Sequence, residues 1–179
     1  DSYEKTYSGT AKYKLFKQSD RGPFNVSLYG SADMNSQFKK SVYPGLKTSD
    51  RFSYTAQILS SRSFSEKLSL EVAPIFVRHN LQDLNFTKTL THNQLLFGMG
   101  GRYKLSKRLS LNMDYAYNFS KNKNSLYKNP LTIGVDIETG GHVFQLLFTN
   151  SRASNDSSLL TETTGDWSKG EISFGFNIV

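Results

Sequence analysis

The sequence predicts an all-β fold: an antiparallel up-and-down transmembrane β-barrel, with about nine strands in its 179 residues and one domain spanning 1–179. Three observations predict it. Apolar and polar residues alternate with period two through nine segments. The connections between these segments are alternately short and long. Hydrophobic residues make up only 37% of the chain and mean hydropathy is -0.49. No run approaches the roughly 18 apolar residues of a spanning helix, whereas a barrel strand needs lipid-facing residues only at every second position.

The segments follow in order. Segment 4–16 sets Tyr7, Gly9, Ala11, Tyr13 and Leu15 against Ser8, Thr10, Lys12 and Lys14. Segment 24–35 sets Phe24, Val26, Leu28, Gly30 and Ala32 against Asn25, Ser27, Tyr29, Ser31 and Asp33. Segment 51–62 sets Phe52, Tyr54, Ala56 and Ile58 against Arg51, Ser53, Thr55 and Gln57. Segment 67–79 aligns Leu68, Leu70, Val72, Pro74 and Phe76, and the proline predicts a bulge or kink. Segment 94–105 alternates Leu95, Phe97, Met99, Gly101 and Tyr103 with Gly98, Gly100, Arg102 and Lys104. Segment 109–119 alternates Leu109, Leu111, Met113, Tyr115 and Tyr117 with Ser110, Asn112, Asp114 and Ala116. The last three are 130–138 (Leu131, Ile133, Val135, Ile137), 142–150 (Phe144, Leu146, Phe148) and 170–178 (Ile172, Phe174, Phe176, Ile178).

Connections 17–23, 63–66, 106–108 and 138–141 are short and carry turn formers such as Asp20, Gly22, Pro23, Gly140 and Gly141. Connections 36–50, 80–93, 120–129 and 151–169 are longer and polar. Short periplasmic turns and long outer loops give a bacterial outer-membrane barrel this asymmetry. Ser65–Leu70 and Ser106–Leu111 echo each other as a repeated hairpin device. With the short turns periplasmic, the first strand here starts outside, so an odd number of further strands is expected upstream. Asp1 opens directly in polar sequence, as expected of mature or truncated material, and a few residues are expected beyond Val179.

The apolar face is assigned to lipid. The other face carries Lys12, Lys14, Asp33, Arg51, Glu71, Arg102, Lys104, Asp114, Asp136, Glu138 and Glu171 as candidate lumen-lining residues. Charges at membrane depth are costly unless paired or wet. Two readings stay open: a ladder of ion pairs filling a narrow barrel, or a hydrated pore lined by opposed charges. Tyr7, Phe38, Tyr43, Phe52, Tyr54, Tyr117, Phe119 and Tyr127 are candidates for an interface belt or for ordinary strand packing. Net charge is +7, spread over turns and loops without a basic stripe, which argues against nucleic-acid binding. The chain has no cysteine, so neither disulfides nor cysteine metal sites arise.

Several stretches resemble one family. They are Ser2–Tyr7 with Lys12–Leu15, Gly101–Leu105, Gly134–Leu146, and Thr161–Trp167 with Phe174–Ile178. The resemblance is to an uncharacterised outer-membrane β-barrel family of Bacteroidetes, a domain of unknown function, and covers essentially the whole chain. It implies a total of about twelve strands, three of them upstream, and brings no substrate or reaction.

Candidates for chemistry are few. His79, His92 and His142 match no zinc spacing, although His79 and His92 flank one outer loop and could approach each other. His142 is expected to orient the Glu-Thr-Gly-Gly turn. Asp136 and Glu138, two apart on the inward face, read as salt-bridge partners before acid–base catalysts. No Gly-x-Ser-x-Gly elbow is present. Gly98–Gly101 lacks the context of a dinucleotide fingerprint and reads as close packing or a bend. Loop 151–169, the longest, holds the only Trp; Asp166 and Trp167 are candidates for a lumen constriction or a partner contact, against simple rim packing. The expectation is a non-enzymatic outer-membrane channel or transport component for small polar solutes, without cofactors. Its surroundings are outer-membrane lipid, and other outer-membrane or periplasmic proteins are candidate partners. The alternatives are a closed barrel serving as scaffold or subunit, and a soluble lipocalin-like barrel with the faces inverted.

Overall fold

The computed structural model describes residues 5–19, 22–37, 45–81, 92–122 and 125–178. Nine strands form one antiparallel sheet in strict chain order. They are β1 (Thr6–Phe16), β2 (Asn25–Asn35), β3 (Phe52–Ser63), β4 (Leu68–His79), β5 (Asn93–Lys104), β6 (Leu109–Asn118), β7 (Leu131–Glu138), β8 (Val143–Thr149) and β9 (Ser173–Ile178). Each predicted segment is present, with ends displaced by a few residues. Asp20, Phe38 and Tyr43 lie outside the described residues. Among the described residues no helix is long and apolar enough to cross a membrane.

Alternation fixes the faces, because a one-residue slip would turn every side chain over. Ile58, Leu70, Phe76, Leu95, Met113 and Phe174 are exposed on one face. Ser31, Asp33, Thr55, Ala73, Ile75, Val77, Leu96, Ser110, Ala116 and Asp136 are buried on the other. The row of large apolar side chains on the exposed face suits lipid outside. It also rules out the lipocalin-like arrangement, which needs Leu111, Met113 and Phe174 inside; they are 40%, 54% and 63% exposed.

The two echoing turns are built alike. Ser65 Oγ accepts from the backbone N–H of Lys67 and Leu68 at 3.2 and 3.1 Å. Ser106 Oγ accepts from Arg108 and Leu109 at 3.3 and 3.1 Å. A serine hydroxyl thereby organises both turns from within. The turn after β7 closes differently: the backbone carbonyl of His142 accepts from Thr139 N–H at 3.0 Å and from its hydroxyl at 3.2 Å. The carbonyl of His142, rather than its ring, makes these closing bonds.

Pro74 produces no bulge. Gln57 pairs with Ile75 and Ser60 with Val72, a constant register across the proline; only the pairings of Ile58 and Leu59 are missing. Pro74 still faces Phe97 in register on β5. The cost of the absent N–H is thus a local gap in one ladder.

The sequence pattern alone predicts no helix. Within the β8–β9 connection, Asp156–Thr161 forms a six-residue helix, α1, which lies against the inner face and contacts β2, β3, β4 and β6. Such a helix is only about 9 Å long. Four strand spacings laid flat would span about 19 Å. One short helix reaches β2 and β6 together because the sheet curves around it.

Candidate functional site

The inner face is organised in cross-strand rows. Glu71, Gly100 and Asp114 are direct partners on β4, β5 and β6. The next row toward the long loops is Ala73, Gly98 and Ala116, followed by Ile75, Leu96 and Asn118. A Cβ on Gly98 would lie 3.1 Å from Ile75 Cδ1, so glycine there permits close packing. Leu160 of α1 joins Ala73, Ile75, Val77, Leu96 and Ala116 in one buried apolar cluster, with Leu59 and Leu159 packed against it. Full burial of one leucine stabilises by about 2 kcal/mol.

Polar bonds fasten the helix as well. Asp33, 2% exposed, accepts on Oδ2 from Ser157 N–H at 3.2 Å and from Ser157 Oγ at 2.7 Å. The Tyr29 hydroxyl donates to the carboxylate of Asp156. His79 Nε2 meets Thr161 Oγ1 at 2.8 Å, and that hydroxyl donates its proton to Ser157 O at 2.6 Å. His79 must therefore donate from Nε2, leaving Nδ1 to accept from Ser53 Oγ at 2.9 Å. His92 does approach it, with Nδ1 donating to the His79 carbonyl at 2.8 Å. Among the described residues no three metal-ligating side chains cluster.

The neck of the loop is held at the rim. Asn150, 4% exposed, donates from Nδ2 to Asn129 O and Gly165 O, both at 3.0 Å, and accepts from Leu131 N–H at 2.8 Å. A Cβ on Gly165 would overlap Asn150 O and lie 2.7 Å from Glu171 O, so only glycine fits. Trp167 donates from Nε1 to Leu131 O at 3.0 Å, which sets the indole at the start of β7. Asp166 accepts on Oδ1 from Ser168 N–H and Oγ at 3.0 and 2.7 Å and meets Lys128 Nζ at 3.2 Å. The Ser168 bonds, with Lys128 beside them, hold its carboxyl well down, at about 2. Asp166 and Trp167 thus sit at the rim, while Leu159 and Leu160 lie over the inner face.

The remaining predicted lumen residues separate by position. Lys12 and Lys14 pair with Tyr29 and Ser27 and share their inward parity. Arg51 ends a 3-10 turn (Thr48–Arg51), ahead of β3. Glu171 lies in the loop and accepts from Asp166 N–H at 3.0 Å. Neither is on a strand, because β3 and β9 start later than alternation alone suggests. Arg102 and Asp136 stand 3.7 Å apart, the one ion pair within this set among the described residues. Glu71 and Asp114 instead border a cavity of about 310 Å³ beneath α1, together with Asp156, Gln57 and Leu159. Lys104 and Glu138 lie toward the short turns, Lys104 opposite Ser110 and Glu138 opposite Val143. On β4, β5 and β6 the inner charges separate along the strands, Glu71 and Asp114 at mid-depth and Arg102 and Lys104 nearer the β3–β4 and β5–β6 turns, while Lys12 lies mid-strand on β1, with Lys14 nearer its C-terminal end.

The residues that sequence reasoning missed are Tyr29, Ser157, Leu160 and Thr161. Their one local signal was the Leu159–Leu160 pair inside an otherwise polar loop.

No curated protein and no solved structure matches the chain. A family model does, over residues 1–179, and its description agrees with the outward apolar face and strand order found above. The chain belongs to the family described as "Membrane bound beta barrel domain (DUF5777)".

Proposed function

We propose that this barrel lies in the bacterial outer membrane, of the Bacteroidetes type its motifs resemble, and passes small polar solutes passively under control of the β8–β9 loop. Long loops on one side and short turns on the other support that location. The observation that carries the functional reading is α1, folded inward and latched by Asp33, Tyr29 and His79 over a cavity with carboxylate walls. A permanently dry interior has little use for unpaired acids at mid-depth, because buried charges need partners or water. The reading includes no catalytic step.

The buried Leu160 cluster favours a second reading, in which the loop is a permanent plug and the closed barrel serves as a scaffold or subunit for other outer-membrane or periplasmic proteins. Conductance in planar bilayers separates the two, measured on the full chain with and without residues 151–169. Discrete steps that enlarge without the loop support the channel. A folded barrel that stays silent in both forms rejects the channel in favour of the scaffold.

A further inference from the structure

The β3–β4 turn and the end of β5 form a cleft of about 480 Å³, lined by Ser63, Lys67, Ser69, Arg102 and Lys104 with one carboxylate, Glu66. Strand register makes it a built arrangement. Ser63 and Ser69 are cross-strand partners on β3 and β4, and Ser69 faces Arg102 on β5. One step further toward the turn, Lys104 N–H donates to Lys67 O at 2.8 Å, so these two lysines stand directly opposite each other. Like charges placed this way destabilise a sheet. Among the described residues neither ammonium group has a hydrogen-bond or ion-pair partner. Arg102 reaches Asp136 with Nη2 at 3.7 Å, and its side chain stays 44% exposed. Backbone spacing keeps the three cationic stems within about 9 Å of one another. The Ser63 and Ser69 hydroxyls meet at 3.1 Å, so one of them donates to the other and one O–H is left to donate from the floor.

We propose that this cleft binds a small multivalent oxyanion of the phosphate class. Such a guest would neutralise the opposed lysines and accept from the guanidinium and one serine hydroxyl at once. The same chemistry could come from a dissolved phosphate compound or from an anionic lipid headgroup at the short-turn mouth. The site does not depend on conduction, and a silent barrel would still carry it.

The test uses the full chain in nanodiscs, with pyrophosphate as probe and calorimetry as readout. In discs of phosphatidylcholine alone, pyrophosphate is expected to bind. Lys67→Gln and Lys104→Gln should each weaken it about tenfold, the equivalent of one charge-assisted hydrogen bond. Lys107→Gln, on the neighbouring turn outside the cleft, should leave it within about twofold by the same scale. In discs containing phosphatidylglycerol, unchanged binding identifies the guest as a dissolved anion. Competition that disappears in K67Q identifies it as the headgroup. Two outcomes overturn the site: absence of pyrophosphate binding in discs of phosphatidylcholine alone, or equal weakening by K107Q, which would mean diffuse attraction only.

Discussion

Removing the Asp33 carboxylate should release α1 while leaving the barrel intact. Asp33→Ala deletes the acceptor of two bonds from Ser157, at 3.2 and 2.7 Å, and leaves Ser157, 1% exposed, to find new partners. Hydrogen bonds to a charged group contribute about 1.5–3 kcal/mol each. Taking the low end for both gives about 3 kcal/mol, a shift of roughly a hundredfold in the ratio of docked to undocked loop. Asp33 sits on the inner face of β2, away from lipid, and its strand hydrogen bonds are backbone ones, so the sheet itself should persist. Protease cleavage within 151–169 of the folded barrel reads the shift, as does single-channel open probability on the proposed channel reading. The coupling is isolated by a double-mutant cycle with Ser157→Ala. D33A and S157A should each raise loop cleavage, and the pair together should add little to the stronger single change. Additive effects would refute the latch, as would an unchanged cleavage rate in D33A.

Further expectations rest on separate parts of the loop. Leu160→Ala should cost about 2–5 kcal/mol of loop docking by cavity creation, seen as faster amide exchange across 156–161 while the strands stay protected. Gly165→Ala should free the loop neck by collision with the carbonyls of Asn150 and Glu171, and Gly140→Ala, with open space around it but φ at 82°, should leave the loop neck unaffected; cleavage within 151–169 distinguishes them. The carboxyl of Asp166 titrates at about 2 in the folded loop against an ordinary value of 3.8. Its contribution is therefore fully present above about pH 4 and is lost as pH falls toward about 2. A fluorescence titration of Trp167 should show that acid transition in the parent chain and lack it in Asp166→Asn.

The strands were legible because a membrane strand writes its environment into alternate positions. Leu111, Met113 and Tyr117 against Ser110, Asn112 and Ala116 specify both the element and its two faces. The short turns were legible for a similar local reason, with Ser65 and Ser106 each bonding to amides two and three residues ahead. The inward loop was not legible. Asp33 and Ser157 are 124 positions apart, and nothing in either neighbourhood names the other. Helix α1 is too short for periodicity to reveal, and isolated helices of this length are unstable in water, so its helicity depends on the sheet beneath it. Trp167 drew attention as the only indole, yet its N–H is used at the rim by Leu131 O. The two leucines before it make the deeper contact.

Alternation says which residues share a face but not which of them meet, and that difference decides what the inner charges do. Read as a list, the inward charges of both signs suggest a ladder of ion pairs. Strand register breaks up that ladder. It sets Glu71 and Asp114 on either side of Gly100, where no cation intervenes, and brings Lys67 opposite Lys104 nearer the turns. Only Arg102 and Asp136, two strands apart from β5 to β7, come within pairing distance among the predicted set. An ion-pair ladder would serve rigidity alone. Like charges gathered into separate zones cost stability in the empty barrel. Water, mobile counter-charges or protonation of a carboxyl can offset that cost. A barrel selected purely as a plugged scaffold would gain by replacing these residues with neutral ones. The separation of Glu71 and Asp114 from Arg102 and Lys104 along β4–β6 is thus the feature of the interior that supports the proposed passage of solutes over a filled core.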